Sequence, residues 1–311
     1  MQSKKRPPSS RNKKILLIGG TGQLGQEILN LASEYNFDVW APPSKEVNVV
    51  KEKDVERAIS KWHPDILINT SASHVLPLCD RNPKEAFLMN SVAVYNMARL
   101  ARDNGLRFVT FSSHYVFSGN KNRPMREDDP LCPLQIYGIS KAAGEYAALA
   151  IYPEQSFIIR VSTLYGGLAG SRIKGGNFVL NIIKEAENKK SIRVAGDQIT
   201  NPTYAVDAAR ATLVLLSTSG VHPGVYHLVS DDYCSYYDFT KEIFVLAGIK
   251  TGAERVRRGG FSAGVRRPIF AALANTRARA YGITLPSWKD GLKAYLKYLK
   301  NAANENKSKS K

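Results

Sequence analysis

Near the start of the chain a short apolar run, Lys14-Ile15-Leu16-Leu17-Ile18, enters Gly19-Gly20-Thr21-Gly22-Gln23-Leu24-Gly25, and a helical pattern over Gln26 to Ser33 follows. Such a run is that of a strand buried on both faces of a parallel sheet. Strand, glycine loop and helix in this order are the context that a dinucleotide fingerprint requires. Gly19, Gly22 and Gly25 recur every third residue rather than in the closer-spaced G-x-G-x-x-G. Without a Cβ the loop backbone can approach a pyrophosphate, and the helix N-terminus stabilises its charge. A glycine-rich turn without a ligand is the plainer alternative, and the flanking strand and helix favour the binding loop.

The alternation continues down the chain. Phe37 to Ala41 reads as a strand, Lys51 to Trp62 as a helix, and Pro64 to Asn69 as a strand entering the polar turn Thr70-Ser71-Ala72. A long helix is expected from Pro83 to Asn104, closed by Gly105 as a C-cap. Phe108 to Ser113 is the next buried strand, then a helix carrying Tyr137, then the strand Phe157 to Arg160. This order predicts an α/β fold with a Rossmann-type, doubly wound parallel sheet. Ligands of such sheets bind beyond the carboxyl ends of the strands. The glycine loop, Asn69-Thr70-Ser71 and Ser112-Ser113 all fall on that edge.

Beyond Tyr165-Gly166-Gly167 the pattern loosens. Helices are expected over Asn177 to Asn188 and Val206 to Leu216, and strands over Ile192 to Val194 and Val225 to Val229. Ser235 caps a helix Tyr236 to Ala247, and Ser287 caps a last helix to about Leu299. The expected division is a disordered basic tail (1–13), a dinucleotide-binding Rossmann domain (14–170), a mostly substrate-binding α+β lobe (171–300), and a second disordered tail (301–311). Part of 192–230 is expected to return to the sheet.

Tyr137 and Lys141 stand four residues apart and so share one face of a helix. A phenol is a poor acid near neutrality, with a reference pKa of about 10. A neighbouring ammonium favours the phenolate, which would make Tyr137 a usable proton donor or acceptor. Lys141 would keep donors for ribose hydroxyls. Tyr-x-x-x-Lys is a common pattern, and the three elements around it give it weight.

Length and composition bound the rest. A chain of 311 residues with 43% hydrophobic and 23% charged residues can bury a full core. No apolar run approaches the roughly 18 residues of a membrane span, and no secretory signal is read, so a cytoplasmic location is expected. Cys79, Cys132 and Cys234 have neither disulfide nor metal spacing, and the five histidines never approach a zinc pattern, so no metal is expected. The net charge of +17 resides partly in the ends and partly in Arg255, Arg257, Arg258, Arg266 and Arg267 around a Gly-rich turn. That basic loop could hold a diphosphate or be a solvated face. No helix-turn-helix, zinc finger or RNA-binding motif accompanies it, so no nucleic-acid partner is expected.

Together these residues resemble the extended short-chain dehydrogenase/reductases, and within them the dTDP-4-dehydrorhamnose reductases. The resemblance rests on Gly19 to Gly25, Ser112-Ser113-His114-Tyr115-Val116-Phe117, Tyr137-Gly138-Ile139-Ser140-Lys141, Gly196-Asp197-Gln198, Asn201-Pro202-Thr203-Tyr204, Gly224 to Leu228 and Arg266-Arg267-Pro268. It spans roughly residues 14 to 299. It implies reduction of a 4-keto group on a nucleotide-linked deoxysugar, in deoxysugar or polysaccharide biosynthesis, with hydride from NADPH or NADH. Tyr137 would donate the proton, Lys141 would hold the nicotinamide ribose, and Ser113 would hydrogen-bond the carbonyl oxygen. Gly19, Thr21, Gly22, Gln23, Leu24, Gly25, Ser44, Asn48, Asn69, Ser71 and Ala72 would bind the dinucleotide with Tyr137 and Lys141. His114, Asn177, Arg266 and Arg267 would face the nucleotide sugar. Asn90 is a candidate anchor for backbone or water, and a homodimer is allowed for.

The second strand ends in Pro42-Pro43-Ser44-Lys45 with no carboxylate before Glu46, which leans the cofactor towards NADPH. Asn48 stands where the family often has an Asp that bonds the adenine amino group. Other departures lie on the substrate side: His114 replaces an acid, Ser73-His74 replaces a Thr-containing run, and Thr163 replaces an aromatic residue. They point to a sugar other than that of the rhamnose enzymes. Two rivals remain. One is a non-catalytic dinucleotide-binding regulatory subunit, similar to the β subunit of methionine adenosyltransferase. The other is an epimerase or dehydratase, for which His114 and Tyr115 lack the acids a dehydratase uses.

Overall fold

The computed structural model describes residues 12–167, 175–262 and 264–309. Most of the expected first tail, the expected 170/171 boundary and the last two residues of the chain lie outside the described residues. The first half comprises β1 (Lys13–Ile18), α1 (Gln23–Leu31), β2 (Phe37–Trp40), α2 (Glu52–Trp62), β3 (Ile66–Asn69), α3 (Leu76–Arg81), α4 (Pro83–Phe87), α5 (Ala93–Asp103), β4 (Arg107–Ser113), α6 (Ile136–Ile151) and β5 (Ser156–Val161). The second comprises β6 (Leu164–Tyr165), α7 (Phe178–Ala186), β7 (Ser191–Ala195), β8 (Ile199–Thr200), β9 (Thr203–Tyr204), α8 (Ala205–Ser217), β10 (Gly224–His227), β11 (Cys234–Ser235) and α9 (Tyr236–Ala247). It continues through β12 (Gly252–Val256), β13 (Phe261–Ser262), β14 (Val265–Arg266), α10 (Thr276–Ala280) and α11 (Trp288–Lys309).

Six parallel strands form one sheet in the order β10-β5-β4-β3-β1-β2. Alternate side chains of each strand point to opposite faces. Ile15, Leu17, Ile66, Ile68, Val109 and Ile159 pack with α1 and α8 on one face. Leu16, Ile18, Leu67, Phe108 and Ile158 pack with α2, α5 and α6 on the other. This is the double winding the unbroken apolar runs predict. The order reverses at β1, opening a crevice between the carboxyl ends of β1 and β3.

A second core gathers Tyr165, Val179, Ile182, Phe239, Ile243, Trp288, Leu292 and Tyr295 from α7, α9, α11 and the short strands. Here β7 pairs with β12 rather than joining the main sheet. Two elements depart from expectation. The Pro83-to-Asn104 helix contains a π-helical turn, Leu88–Val92, between α4 and α5. The last helix passes Leu299 and runs to Lys309, so the stretch expected as a disordered tail is largely helical. No Gly or Pro follows Gly291 in it, and extension from an anchored helix costs little.

Candidate active site

At the β1 exit Gly19 has φ +86, where a Cβ would stand 2.6 Å from Thr70 Oγ1 and 2.8 Å from the Ser71 nitrogen. A Cβ on Gly25 would lie 2.3 Å from the Gly19 carbonyl oxygen. These glycines let loop, helix and the β3 turn close on one another. Gly22 begins α1 with no side-chain cap, Thr21 and Gly22 are exposed, and the buried Gln23 Nε2 has no hydrogen-bond partner. Leu24 is buried beneath the turn. Open helix N–H groups and an unpaired amide donor fit a pyrophosphate.

The β3 turn is rigid. Asn69 is buried, donates to Thr110 Oγ1 at 3.3 Å, and accepts from the Ser71 N–H at 3.0 Å and the Ser71 hydroxyl at 2.5 Å. The Ala72 carbonyl accepts from His74 Nδ1 at 3.2 Å. Asn69 therefore fixes the turn that presents Ser71 and Ala72. Ser44 is exposed after β2, and the nearby Glu46 pairs with Lys61 at 3.2 Å. Asn48 Oδ1 accepts from the Val50 N–H at 3.2 Å, so one of its acceptor positions belongs to the fold.

Ser113 ends β4, and its Oγ accepts from the Tyr115 N–H at 3.3 Å, capping a 3-10 turn over His114–Val116. The same hydroxyl acts on the Tyr137 phenol, favouring its ionised form. It serves both the strand end and the phenol. Gln135 caps α6 by accepting from the Gly138 N–H at 2.8 Å. A Cβ on Gly138 would sit 2.1 Å from the Tyr115 carbonyl oxygen, so only glycine lets the first turn of α6 press onto that strand end. On the other side Ser140 donates to the Tyr137 carbonyl at 2.9 Å and receives Asn90 Nδ2 at 3.0 Å. Asn90, inside the π turn, also exchanges bonds of 2.9 and 2.8 Å with the Ser73 backbone. It anchors the 73 loop to the Tyr137 helix.

Tyr137 and Lys141 are both buried. The expectation that Lys141 lowers the phenol is corrected. Burial pushes Tyr137 up to about 12 against the pull of the Ser113 hydroxyl, and pushes Lys141 down to about 8 against the attraction of Glu145. Desolvation of the charged form outweighs the neighbours in both cases. At neutral pH Tyr137 is a protonated phenol and Lys141 is largely an ammonium.

On the substrate side, His114 is buried with its ring 4.2 Å from that of Tyr115, and Tyr115 meets Tyr137 edge-on at 5.8 Å. Arg267 donates to the Tyr115 hydroxyl at 3.1 Å, and its buried Nε has no partner. The sequence did not reveal the reason: β13 and β14 pair antiparallel, and Val265 of β14 lies in the buried cluster that holds Tyr115 and Tyr137. Arg266 is exposed on β14, so of the two arginines the structure brings Arg267 to the site. Asn177 has a structural role. It caps α7 by accepting from the Leu180 N–H at 3.0 Å, and donates to the Gly166 carbonyl at 3.1 Å and Tyr295 OH at 2.9 Å. With both amide hydrogens committed it braces this turn against α11. Thr163, at φ +36, bonds Thr200 Oγ1 at 2.6 Å and Tyr236 OH at 3.2 Å.

A parallel sheet with a glycine cradle and a Ser-Tyr-Lys set on its carboxyl edge defines an extended short-chain dehydrogenase/reductase. The chain belongs to the RmlD substrate binding domain family, whose model matches residues 13–301. It is 33% identical over 291 residues to the spore coat polysaccharide biosynthesis protein SpsK of Bacillus subtilis (strain 168), covering 94% of this chain and 99% of that one. Among solved structures it resembles a dTDP-4-dehydrorhamnose reductase from Clostridium acetobutylicum ATCC 824, with TM-score 0.85 and 30% identity over 92% of this chain and 99% of that one. It also resembles the dTDP-4-dehydrorhamnose reductase of Bacillus anthracis str. Ames in complex with NADP, with TM-score 0.85 and 28% identity over 92% and 99%.

Proposed function

We propose that the protein reduces the 4-keto group of a nucleotide-linked deoxysugar with NAD(P)H, in deoxysugar or polysaccharide biosynthesis. The observation that carries this is the buried phenol of Tyr137, under the influence of the Ser113 hydroxyl and one helical turn from Lys141, on the sheet edge that carries the glycine cradle. When bound, the dinucleotide supplies the hydride. Tyr137 hands its proton to the substrate oxygen that gains charge, and the Ser113 hydroxyl steadies that oxygen. The Lys141 ammonium stabilises the phenolate left behind. Residues 19–25 hold the pyrophosphate, with Ser71 and Ala72 beside it, and Arg267 offers its guanidinium to the substrate diphosphate.

The exposed Ser44 and the pairing of Glu46 with Lys61 favour NADPH over NADH, as does the NADP complex of the relative from B. anthracis. The assignment of 14–170 to the dinucleotide and of 171–300 mostly to the sugar belongs to the same reading. So do a cytoplasmic location, a homodimer and the absence of a nucleic-acid partner. Among the described residues no helix is long and apolar enough to cross a membrane.

The test is oxidation of NADPH and NADH with dTDP-, GDP-, UDP- and CDP-linked 4-keto-6-deoxysugars. One member of the panel is expected to turn over, faster with NADPH. Tyr137→Phe should lower kcat by about 10²-fold or more while cofactor Kd stays within about twofold. Cofactor binding without oxidation of any member would overturn the reductase reading.

A further inference from the structure

Beyond the carboxyl end of β5 four hydroxyl groups meet, and the chemistry above uses none of them. Val161, which ends β5, is the register partner of Ser113, so Ser162 and Thr163 leave the sheet beside the end of the strand that carries that serine. Thr200 Oγ1 lies 2.8 Å from Ser162 Oγ and 2.6 Å from Thr163 Oγ1, and Thr163 Oγ1 lies 3.2 Å from Tyr236 OH. Ser162 and Thr200 are buried, whereas Thr163 and Tyr236 are half-buried. Thr163 is held at φ +36, where a β-branched residue is strained. Its carbonyl accepts from the Thr203 N–H at 3.2 Å. Strain of this kind persists where the surroundings fix it, and it gathers at ligand sites.

Each hydroxyl brings one proton. Four protons meet three hydrogen bonds, so one proton is left to donate outside the cluster. The Ser162 hydroxyl has no other partner among the described residues, and an idle proton on a buried hydroxyl is costly. The favoured polarity therefore runs from Ser162 to Thr200, on to Thr163, and on to the Tyr236 hydroxyl. The phenol accepts at the end of this relay and keeps its own proton to give, with no acceptor for it among the described residues. Gln198, whose carbonyl receives the Tyr236 N–H at 3.2 Å, has a buried Nε2 without a partner, as Arg267 has a buried Nε. This side of the site is short of acceptors, which is what an oxygen-rich ligand supplies. Adjacent strands lie about 4.8 Å apart, so the cluster begins roughly a sugar ring's width from the Ser113 hydroxyl.

We propose that Tyr236, aligned by the Ser162–Thr200–Thr163 relay, is a substrate-binding residue that donates a hydrogen bond to an oxygen of the sugar other than the one that is reduced. Thr163 is then a positioning residue, acting through Tyr236. That the ligand is a nucleotide sugar rests on the reductase reading; the spare phenol proton does not. A sugar without that oxygen leaves the proton unpaired on binding, which makes Tyr236 a determinant of specificity.

The experiment measures, by isothermal titration calorimetry, the binding of dTDP-, GDP-, UDP- and CDP-linked 6-deoxyhexoses, and of the nucleoside diphosphates alone, to the protein loaded with NADPH. These sugars carry a hydroxyl where the substrate has its ketone, so binding is read without turnover. Tyr236→Phe removes the hydroxyl and keeps the ring packed on that of Phe178, 5.0 Å away. It should weaken the best-bound nucleotide sugar about tenfold and leave the matching nucleoside diphosphate unaffected. Thr163→Val should weaken the sugar similarly, and the double variant should bind no worse than Tyr236→Phe, because the two residues act as one unit. Thr163→Ser, which keeps the hydroxyl, should bind as the native protein does, and Thr163→Ala serves if Thr163→Val does not fold. Unchanged binding in Tyr236→Phe overturns the proposal, and additive losses overturn the relay. An equal loss for the nucleoside diphosphate alone overturns the assignment to the sugar. Weakened binding with no 4-keto sugar reduced by the native protein supports the role of Tyr236 and removes the reductase reading alone. Turnover by Tyr236→Phe with native KM removes the proposal alone.

Discussion

At the scale of single residues, the site works through what burial does to two titratable groups. The four-residue spacing of Tyr137 and Lys141 was legible, because a helix makes any such pair neighbours. The sign of their pKa shifts was not, because the dielectric around a side chain is made by residues distant in sequence. Val265, on β14 more than a hundred positions later, is part of what dries the Tyr137 ring. The consequence is a definite pH profile. The phenol, raised to about 12, stays protonated across the neutral range and contributes no limb. Lys141, lowered to about 8, loses its charge as pH rises through that value. So kcat/KM should be flat below neutrality and fall above about pH 8, measured over about pH 6 to 10. A rise in rate through that region would show the phenolate to be the active form.

At the scale of elements, the first turn of α6 is the demanding piece of architecture. Gly138→Ala puts a methyl group 2.1 Å from the Tyr115 carbonyl oxygen, in the buried 3-10 turn that follows β4. Overpacking of this kind costs about 1–3 kcal/mol, read as a lower melting temperature, and turnover should fall because Tyr137 is displaced with the helix. The glycine is visible in the sequence, but its partner is not. Asn177 shows the reverse case. An Asn just before an apolar helical stretch reads equally well as a ligand or as an N-cap, and the cap is what folds. Asn177→Ala should cost at least about 1 kcal/mol in stability and leave the substrate KM within about twofold, checked by denaturant melts and initial rates. The β13–β14 pair escaped sequence reading because strands of two residues show no alternation. The π turn escaped because one extra residue in a helix leaves the apolar pattern nearly unchanged. The sheet strands, by contrast, were legible as continuous apolar runs, within a residue or two at their ends.

At the scale of the whole molecule, α11 ties the second core together. Trp288, Leu292 and Tyr295 are buried in it, and the Tyr295 hydroxyl donates to the Gly167 carbonyl at 2.7 Å. Each such side chain contributes about 1.5–3 kcal/mol against a total stability of about 5–15 kcal/mol. A chain ending at Ser287 should therefore not fold, whereas one ending at Lys300 should melt within a few degrees of the full chain, as differential scanning calorimetry would show. The route of the backbone between the two cores reaches further. It leaves the sheet after β5, enters the second core at Tyr165, comes back with α8 and β10, departs again for α9, returns at Ala278 to Leu285, and finishes in α11. The molecule is laced rather than hinged: a nick in any one connecting loop leaves both parts still sewn together by the other passes. The halves are not interchangeable cassettes, and shuffling a sugar-binding lobe from a relative onto this sheet would mean exchanging several separate stretches of chain at once.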